Sequence, residues 1–237
     1  MKNRRKILEF VMAVTLLLLV YICAGKLPAM TAGNSNSGGE GKETQRKTIL
    51  IDPGHGGIDP GKISVTGTNE KKINLEIAMK VEKLLTKQGY EVIMTREDDN
   101  GLYKDSDSNK KVADMKKRCL MAEETNADIL VSIHQNSYQS EGVKGAQVFY
   151  YSNSEEGKRL AEAIQGKFRE ILDPGNGREA KSNNNYYILL NVKCPAVIAE
   201  CGFLSNYEEA ELLEKDSYQE KVAEAVAKGI EEYFEKK

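Results

Sequence analysis

Three short segments of this sequence end in side chains that bind metals or move protons. Asp52-Pro53-Gly54-His55-Gly56-Gly57 and Ser132-Ile133-His134-Gln135-Asn136 hold the only two histidines of the 237 residues, and Ala199-Glu200-Cys201-Gly202 places an acid directly behind an apolar run. A fourth residue, Glu70, opens a stretch with helical spacing. Two histidines and one glutamate make a three-ligand set with an open fourth position, the pattern of catalytic zinc. A cation in such a site polarises a carbonyl and lowers the pKa of water. A further carboxylate, Glu200, would take a proton from that water and pass it to a leaving amine. Asp52 or Asp59 would orient one of the histidines. Asn136 would touch substrate, support His134 or simply form a turn.

These residues lie far apart in the chain, and spacing alone does not bring them together. Each has a structural role open to it as well. His55 can be a loop residue held by neighbouring backbone, and His134 a strand-end residue hydrogen-bonded in the core. Glu70 suits the positive end of a helix dipole. Glu200 can end a strand facing solvent, although Val197-Ile198-Ala199 before it suggests a poorly solvated place where an acid needs a partner. Other chemistries fit less well. A cysteine hydrolase would need Cys201 or Cys194 beside a histidine, but adjacent strand residues face opposite ways, so Glu200 and Cys201 cannot share one site. No Lys-Ser/Thr pair follows the PGHGG loop in phosphate-binding register. Ser132 shares a strand face with His134 but lacks a nucleophile-elbow motif.

The elements that must position these groups read as α/β. KTILID (47–52) is a short apolar run stopped by Pro-Gly, a buried strand, and a Gly-rich loop follows to Gly67. From Glu70 to Gln88, the residues Ile73, Ile77, Val81, Leu84 and Leu85 keep helical spacing, with Thr68 or Asn69 as cap and Gly89 as stop. Further strands are predicted at 91–95, 129–134, 147–151, 187–190 and 196–200. Helices are predicted near 112–125, 155–171, 207–213 and 218–234. Alternation of this kind predicts a single domain with a twisted, mostly parallel or mixed sheet flanked by helices on both faces. Ligands of such folds gather beyond the carboxyl ends of the strands, and both histidines and Glu200 stand at such ends.

Composition sets the wider frame. Forty per cent hydrophobic and 30% charged residues allow a packed core, and a formal net charge of -2 gives no basic field for nucleic acid. Lys2, Arg4, Arg5 and Lys6 precede an apolar run from about Phe10 to Ala24, which reads as a secretion signal or membrane anchor over 1–25 and places the rest of the chain outside the cytoplasmic membrane. Residues 26–46 read as a flexible Gly/Ser/Asn-rich linker, and the folded domain is expected over 47–237. Cys23, Cys119, Cys194 and Cys201 form no CxxC pair, so neither a zinc ribbon nor a disulfide framework is expected.

Several segments together, ILIDPGHGGIDPG, NEKKINLEIA, EVIMTRE, ADILVSIHQNS and IAECGFLSN, resemble the zinc amidases of the Amidase_3 type. These are the bacterial N-acetylmuramoyl-L-alanine amidases that cut peptidoglycan, and the segments occur in that family's order from about Lys47 to the end. The resemblance implies one zinc ion held by His55, Glu70 and His134, with Glu200 as catalytic acid–base. It implies hydrolysis of the amide between the lactyl group of muramic acid and the L-alanine of the peptide stem. YYILLNVKCPAVIAECGFLSN looks most like the spore-cortex branch of the family, in which stem removal precedes muramic-δ-lactam formation. The substrate implied is peptidoglycan, with an activating protein partner as a further expectation. A peptidase or deacetylase using the same ligands, and a non-catalytic wall-binding domain, are the alternatives. Three places depart from the family pattern: Cys201 where Val is frequent, Ser137 where Ala is common, and the pair Lys62-Ile63 where a small residue is usual.

Overall fold

The computed structural model describes residues 46–236, so the expected signal or anchor, most of the expected linker and Cys23 lie outside the described residues. Strand β1 (Thr48–Pro53) is followed by helix α1 (Glu70–Lys87), strand β2 (Glu91–Met94) and helix α2 (Lys110–Glu124). Strands β3 (Ile129–Asn136) and β4 (Gln147–Tyr150) come next, then helix α3 (Glu155–Lys167), which runs into one π-helical turn, Phe168–Leu172. A two-residue strand β5 (Lys181–Ser182), helix α4 (Tyr187–Asn191), strand β6 (Ala196–Phe203) and helices α5 (Tyr207–Leu213) and α6 (Asp216–Glu235) complete the chain. The six strands form one mixed sheet in the order β2-β1-β3-β6-β4-β5. Every neighbouring pair is parallel except β4 with β6.

Alternation along the central strands sorts side chains to two cores. Ile49 and Ile51, Ile129, Val131 and Ile133, and Val197, Ala199 and Cys201 pack on one face with Ile73, Ile77, Val81 and Leu85 of α1, Leu160 and Ile164 of α3, and Val222, Val226 and Ile230 of α6. Leu50, Leu130 and Ile198 point the other way, to Cys119 and Ala122 of α2 and Ile188 and Leu189 of α4. Each fully buried aliphatic side chain of this kind contributes roughly 1.5–3 kcal/mol of transfer free energy, so burial on both faces explains why these strands read as unbroken apolar runs. Among the described residues no helix is long and apolar enough to cross a membrane.

Two local expectations need correction. Tyr187–Leu190, expected as a strand, is the start of the short helix α4. Its adjacent residues Ile188 and Leu189 are both buried in one core while Tyr187 and Leu190 are exposed; a strand would send neighbours to opposite faces, whereas a helical turn keeps both on one side. The cap of α1 falls at Asn69, but its side chain makes no capping hydrogen bond. The preceding loop does that work with its own carbonyls: Glu70 N donates to Lys62 O at 2.9 Å and Lys71 N to Pro60 O at 3.1 Å, which satisfies helix-start donors otherwise left without partners. The Gly-rich loop and the first turn of α1 are therefore one unit, and Glu70 is carried with it.

Candidate metal centre

The carboxyl ends of β1, β3 and β6 lie side by side. Asp52 is the register partner of Ser132, and His134 is the register partner of Glu200. Strand alternation puts Asp52, Ser132, His134 and Glu200 on the same face as Leu50, Leu130 and Ile198. They share a cavity of about 200 Å³ with His55, Asp59, Tyr103, Lys111 and Tyr186. Cys201 faces the opposite core, fully buried, with its Sγ donating to Ala199 O at 3.4 Å. Burial pushes its thiol well above the usual cysteine range, which leaves it without thiolate character.

Glu70 reaches the same place from α1. Its Oε2 lies 3.2 Å from His55 Nε2, and its Oε1 lies 3.1 Å from His134 Nδ1. The two imidazoles meet edge to face with centroids 4.9 Å apart. One ligand atom from each of His55, Glu70 and His134 lies within 4.8 Å of the others. Burial alone would raise the Glu70 carboxyl, but hydrogen bonds from His134 and His55 and their charges outweigh it and hold the acid far below the usual carboxylate range. His55 shows the reverse balance. Burial lowers it, and Glu70 and then Asp59 more than compensate, so the imidazole is raised. Asp59 Oδ2 stands 3.1 Å from His55 Nδ1, leaving Nε2 toward Glu70. Of the two aspartates proposed to orient a histidine, Asp59 does so. Asp52 instead accepts from Thr95 Oγ1 at 2.6 Å, Ser132 Oγ at 2.5 Å and Arg118 Nη1 at 2.5 Å.

The surrounding backbone is shaped to these rings. A Cβ on Gly54 would stand 2.2 Å from the His134 ring, and one on Gly61 would stand 2.6 Å from Glu70 Oε2 and 2.7 Å from His55 Cδ2. Neither position accepts a side chain without displacing a member of the cluster. Two imidazoles and a carboxylate with a converging set of donor atoms fit a borderline divalent cation such as zinc, for which nitrogen and oxygen donors are suited.

Glu200 stands beside this cluster but is held differently. It is 7% exposed, its Oε1 accepts from Tyr186 Oη at 3.5 Å, and its Oε2 is enclosed without a hydrogen-bond partner among the described residues. Burial pushes its carboxyl up to about 7, with Glu70 adding to the rise and the two histidines opposing it. A carboxyl poised near neutrality with one free oxygen suits proton transfer. Asn136 is not part of the cluster. Its Oδ1 accepts from Ser137 N at 2.8 Å and its carbonyl from Leu204 N at 2.8 Å, a strand-end role.

Four residues of the site had no role in the sequence reading. Tyr103, Lys111 and Tyr186 line the cavity, and Lys111 Nζ pairs with Asp59 Oδ1 at 3.0 Å. Arg118 is 1% exposed and bridges Asp52 and Asp114. The signal for Arg118 was present: Asp114 and Arg118 stand four apart on the α2 face that also carries Cys119 and Ala122, a charged pair on a buried stripe.

The N-acetylmuramoyl-L-alanine amidase family model matches residues 49–232. The germination-specific N-acetylmuramoyl-L-alanine amidase of Bacillus subtilis is 40% identical over 194 residues, covering 81% of each chain. The fold is similar to the CwlD amidase of Clostridioides difficile, solved in complex with the GerS lipoprotein, with a TM-score of 0.79, 40% identity and coverage of 81% of this chain and 100% of that one. It is also similar to the catalytic domain of the amidase CwlV of Bacillus (Paenibacillus) polymyxa var. colistinus, with a TM-score of 0.68, 32% identity and coverage of 81% and 99%.

Proposed function

This chain belongs to the N-acetylmuramoyl-L-alanine amidase family of hydrolases, and we propose that it is a one-zinc enzyme whose ion is held by His55, Glu70 and His134 and whose general acid–base is Glu200. The observation that carries this reading is the meeting of two imidazoles and an ionised carboxylate at the strand ends, beside a buried acid with a free oxygen. A zinc ion bound there supplies Lewis-acid polarisation of the scissile carbonyl and an acidified water.

The chain's own residues account for the remaining steps. Asp59 accepts from His55 Nδ1 and so fixes the tautomer that presents Nε2 to the centre. The Glu200 carboxylate takes a proton from the attacking water as its oxygen bonds to the lactyl carbonyl carbon. It then returns that proton to the alanine nitrogen as the C–N bond breaks, leaving a free carboxylate on muramic acid and a free amine on the peptide. Tyr186 donates to Glu200 Oε1 and keeps Oε2 as the working oxygen.

The substrate is the lactyl–L-alanine amide of peptidoglycan, and the place of action is outside the cytoplasmic membrane, with residues 1–25 as signal or anchor, 26–46 as linker and 47–237 as catalytic domain. Similarity to a germination-specific amidase supports a role in spore-cortex maturation. The complex of the similar C. difficile amidase with a lipoprotein supports an activating protein partner for this chain as well.

Metal analysis and product analysis test the reading together. The whole chain should carry about one zinc, and His55→Ala should lose it. The wild type should release peptide stems with free L-alanine amino termini from muropeptides, and chelation should stop the release. Metal-loaded protein that frees acetate or cleaves within the stem instead would replace this reading with a deacetylase or a peptidase.

A further inference from the structure

The loop that carries His55 continues through two positive-φ glycines, Gly56 and Gly57, but its first left-handed residue is His55 itself. His55 has φ 63°, in the left-handed region that non-glycine residues seldom occupy. Three successive carbonyls, those of Pro53, Gly54 and His55, turn inward there, and two buried guanidiniums meet them. Arg96, 4% exposed, donates from Nε to Pro53 O at 3.0 Å and to His55 O at 2.8 Å, and from Nη2 to Gly54 O at 3.0 Å. Arg118 donates from Nη1 to Pro53 O at 2.9 Å and from Nη2 to His55 O at 2.6 Å. The Pro53 and His55 carbonyls therefore each receive two charged donors, one from either arginine.

The remaining donors tie this bracket to the rest of the site. Arg96 Nη2 also reaches Lys71 O at 2.8 Å, in the first turn of α1 beside Glu70, and Nη1 reaches Asp98 O at 2.8 Å. Arg118 is anchored by Asp52 and Asp114. Two like charges held this close repel, and a fold that needed only filled volume would place apolar side chains here. A planar fork with several donors at fixed angles is what a cluster of converging carbonyls requires, and an ammonium cannot reproduce it.

We infer that Arg96 and Arg118 are positioning residues that hold His55 in its left-handed conformation and thereby set the aim of its imidazole at the metal centre. Arg96 acts on two ligands at once, because the same guanidinium grips the carbonyl next to Glu70. The inference rests on the reading of His55 and Glu70 as metal ligands, but its first observable does not.

The chain's two histidines make that observable simple. Histidine-labelled whole chain gives two sets of ring and Cα resonances, and the Cα shift reports backbone conformation. In metal-free Arg96→Lys, the His55 Cα resonance should move or broaden while the His134 Cα resonance, which belongs to a strand residue, stays, and zinc affinity should fall tenfold or more with the thermal midpoint of the metal-free protein changed by only a few degrees. Arg118→Lys should show the same pattern. Unchanged His55 resonances and unchanged zinc affinity in both variants would overturn the inference. So would loss of the whole fold in both, since the guanidiniums would then serve the domain at large and not His55. Wild-type protein that binds no zinc would defeat the metal reading, while the histidine resonances would still decide the bracket.

Discussion

His134 and Glu200 face each other in register across the parallel strands β3 and β6. Parallel pairing with this register places a nitrogen donor and a buried acid side by side on one sheet face without any loop between them. A site built on adjacent strands is held more rigidly than one built on loops, and proton transfer benefits from that rigidity. Glu200→Gln should therefore keep the fold and about one zinc per chain while lowering kcat by roughly 10²–10⁴-fold. Zinc content and stem release measured on the same preparation check it, and near-normal turnover would remove Glu200 from the mechanism.

Asp59 is the partner of His55 Nδ1 and also of Lys111. Removing the acceptor in Asp59→Ala frees the imidazole to rotate and change tautomer. Zinc affinity should drop by about 10–100-fold, the range seen when such outer partners are lost. A competition titration against a chromogenic chelator measures the change directly.

Gly54 lies against the His134 ring, where an added Cβ would stand 2.2 Å from Cε1 and Nε2 and 2.7 Å from Cδ2. Backbone pairing of Gly54 N to Ile133 O at 3.0 Å leaves the loop little room to retreat, so the ring must move. Gly54→Ala should lose zinc at micromolar metal while retaining a native circular dichroism spectrum. Full zinc loading in that variant would show that His134 has a second workable position.

The Asp52–Arg118 pair is buried at both ends. Burial alone would raise the Asp52 carboxyl, but Arg118, Ser132 and Thr95 together hold it at about 2, against an ordinary value of 3.8. A folded-state value below the unfolded one means the carboxylate stabilises the fold above about pH 4 and that this contribution is lost as pH falls toward 2. The shift corresponds to something on the order of 2 kcal/mol. Asp52→Asn leaves Arg118 with less compensation and should cost about 3–5 kcal/mol at pH 7. Denaturant unfolding at stepped pH should show the gap between variant and wild type narrowing below pH 4. A gap independent of pH would show that the pair's charge is not what stabilises it.

The central strands were legible because each is an apolar run ended by Pro-Gly or a polar turn, and their burial on both faces makes that run unbroken. The three strand-end segments that hold His55, His134 and Glu200 were legible for the same reason, and Glu70 from its place at a helix start. Alternation along a strand also excluded that Glu200 and Cys201 share one site. Periodicity could not separate a strand from one helical turn at Tyr187–Leu190, since an apolar run of four residues is too short to carry a period, and only the burial of the adjacent Ile188 and Leu189 in one core marks the turn. It said nothing of β5, which is two exposed residues long.

What the tertiary structure alone decided was convergence and partnership. Whether Asp52 or Asp59 serves His55 depends on the strand register, which turns Asp52 to Ser132 and Arg118, and on the loop's return, which brings Asp59 under the imidazole. Arg96 and Arg118 matter through carbonyls 63 to 65 or 41 to 43 positions away in the chain. A backbone carbonyl has no residue type, so no sequence pattern records that it needs a donor. The sequence by itself determined the elements and the reactive side chains at their ends, because apolar burial and turn chemistry are local. Only the folded chain decided which charges meet, because electrostatic partners are chosen by distance in space.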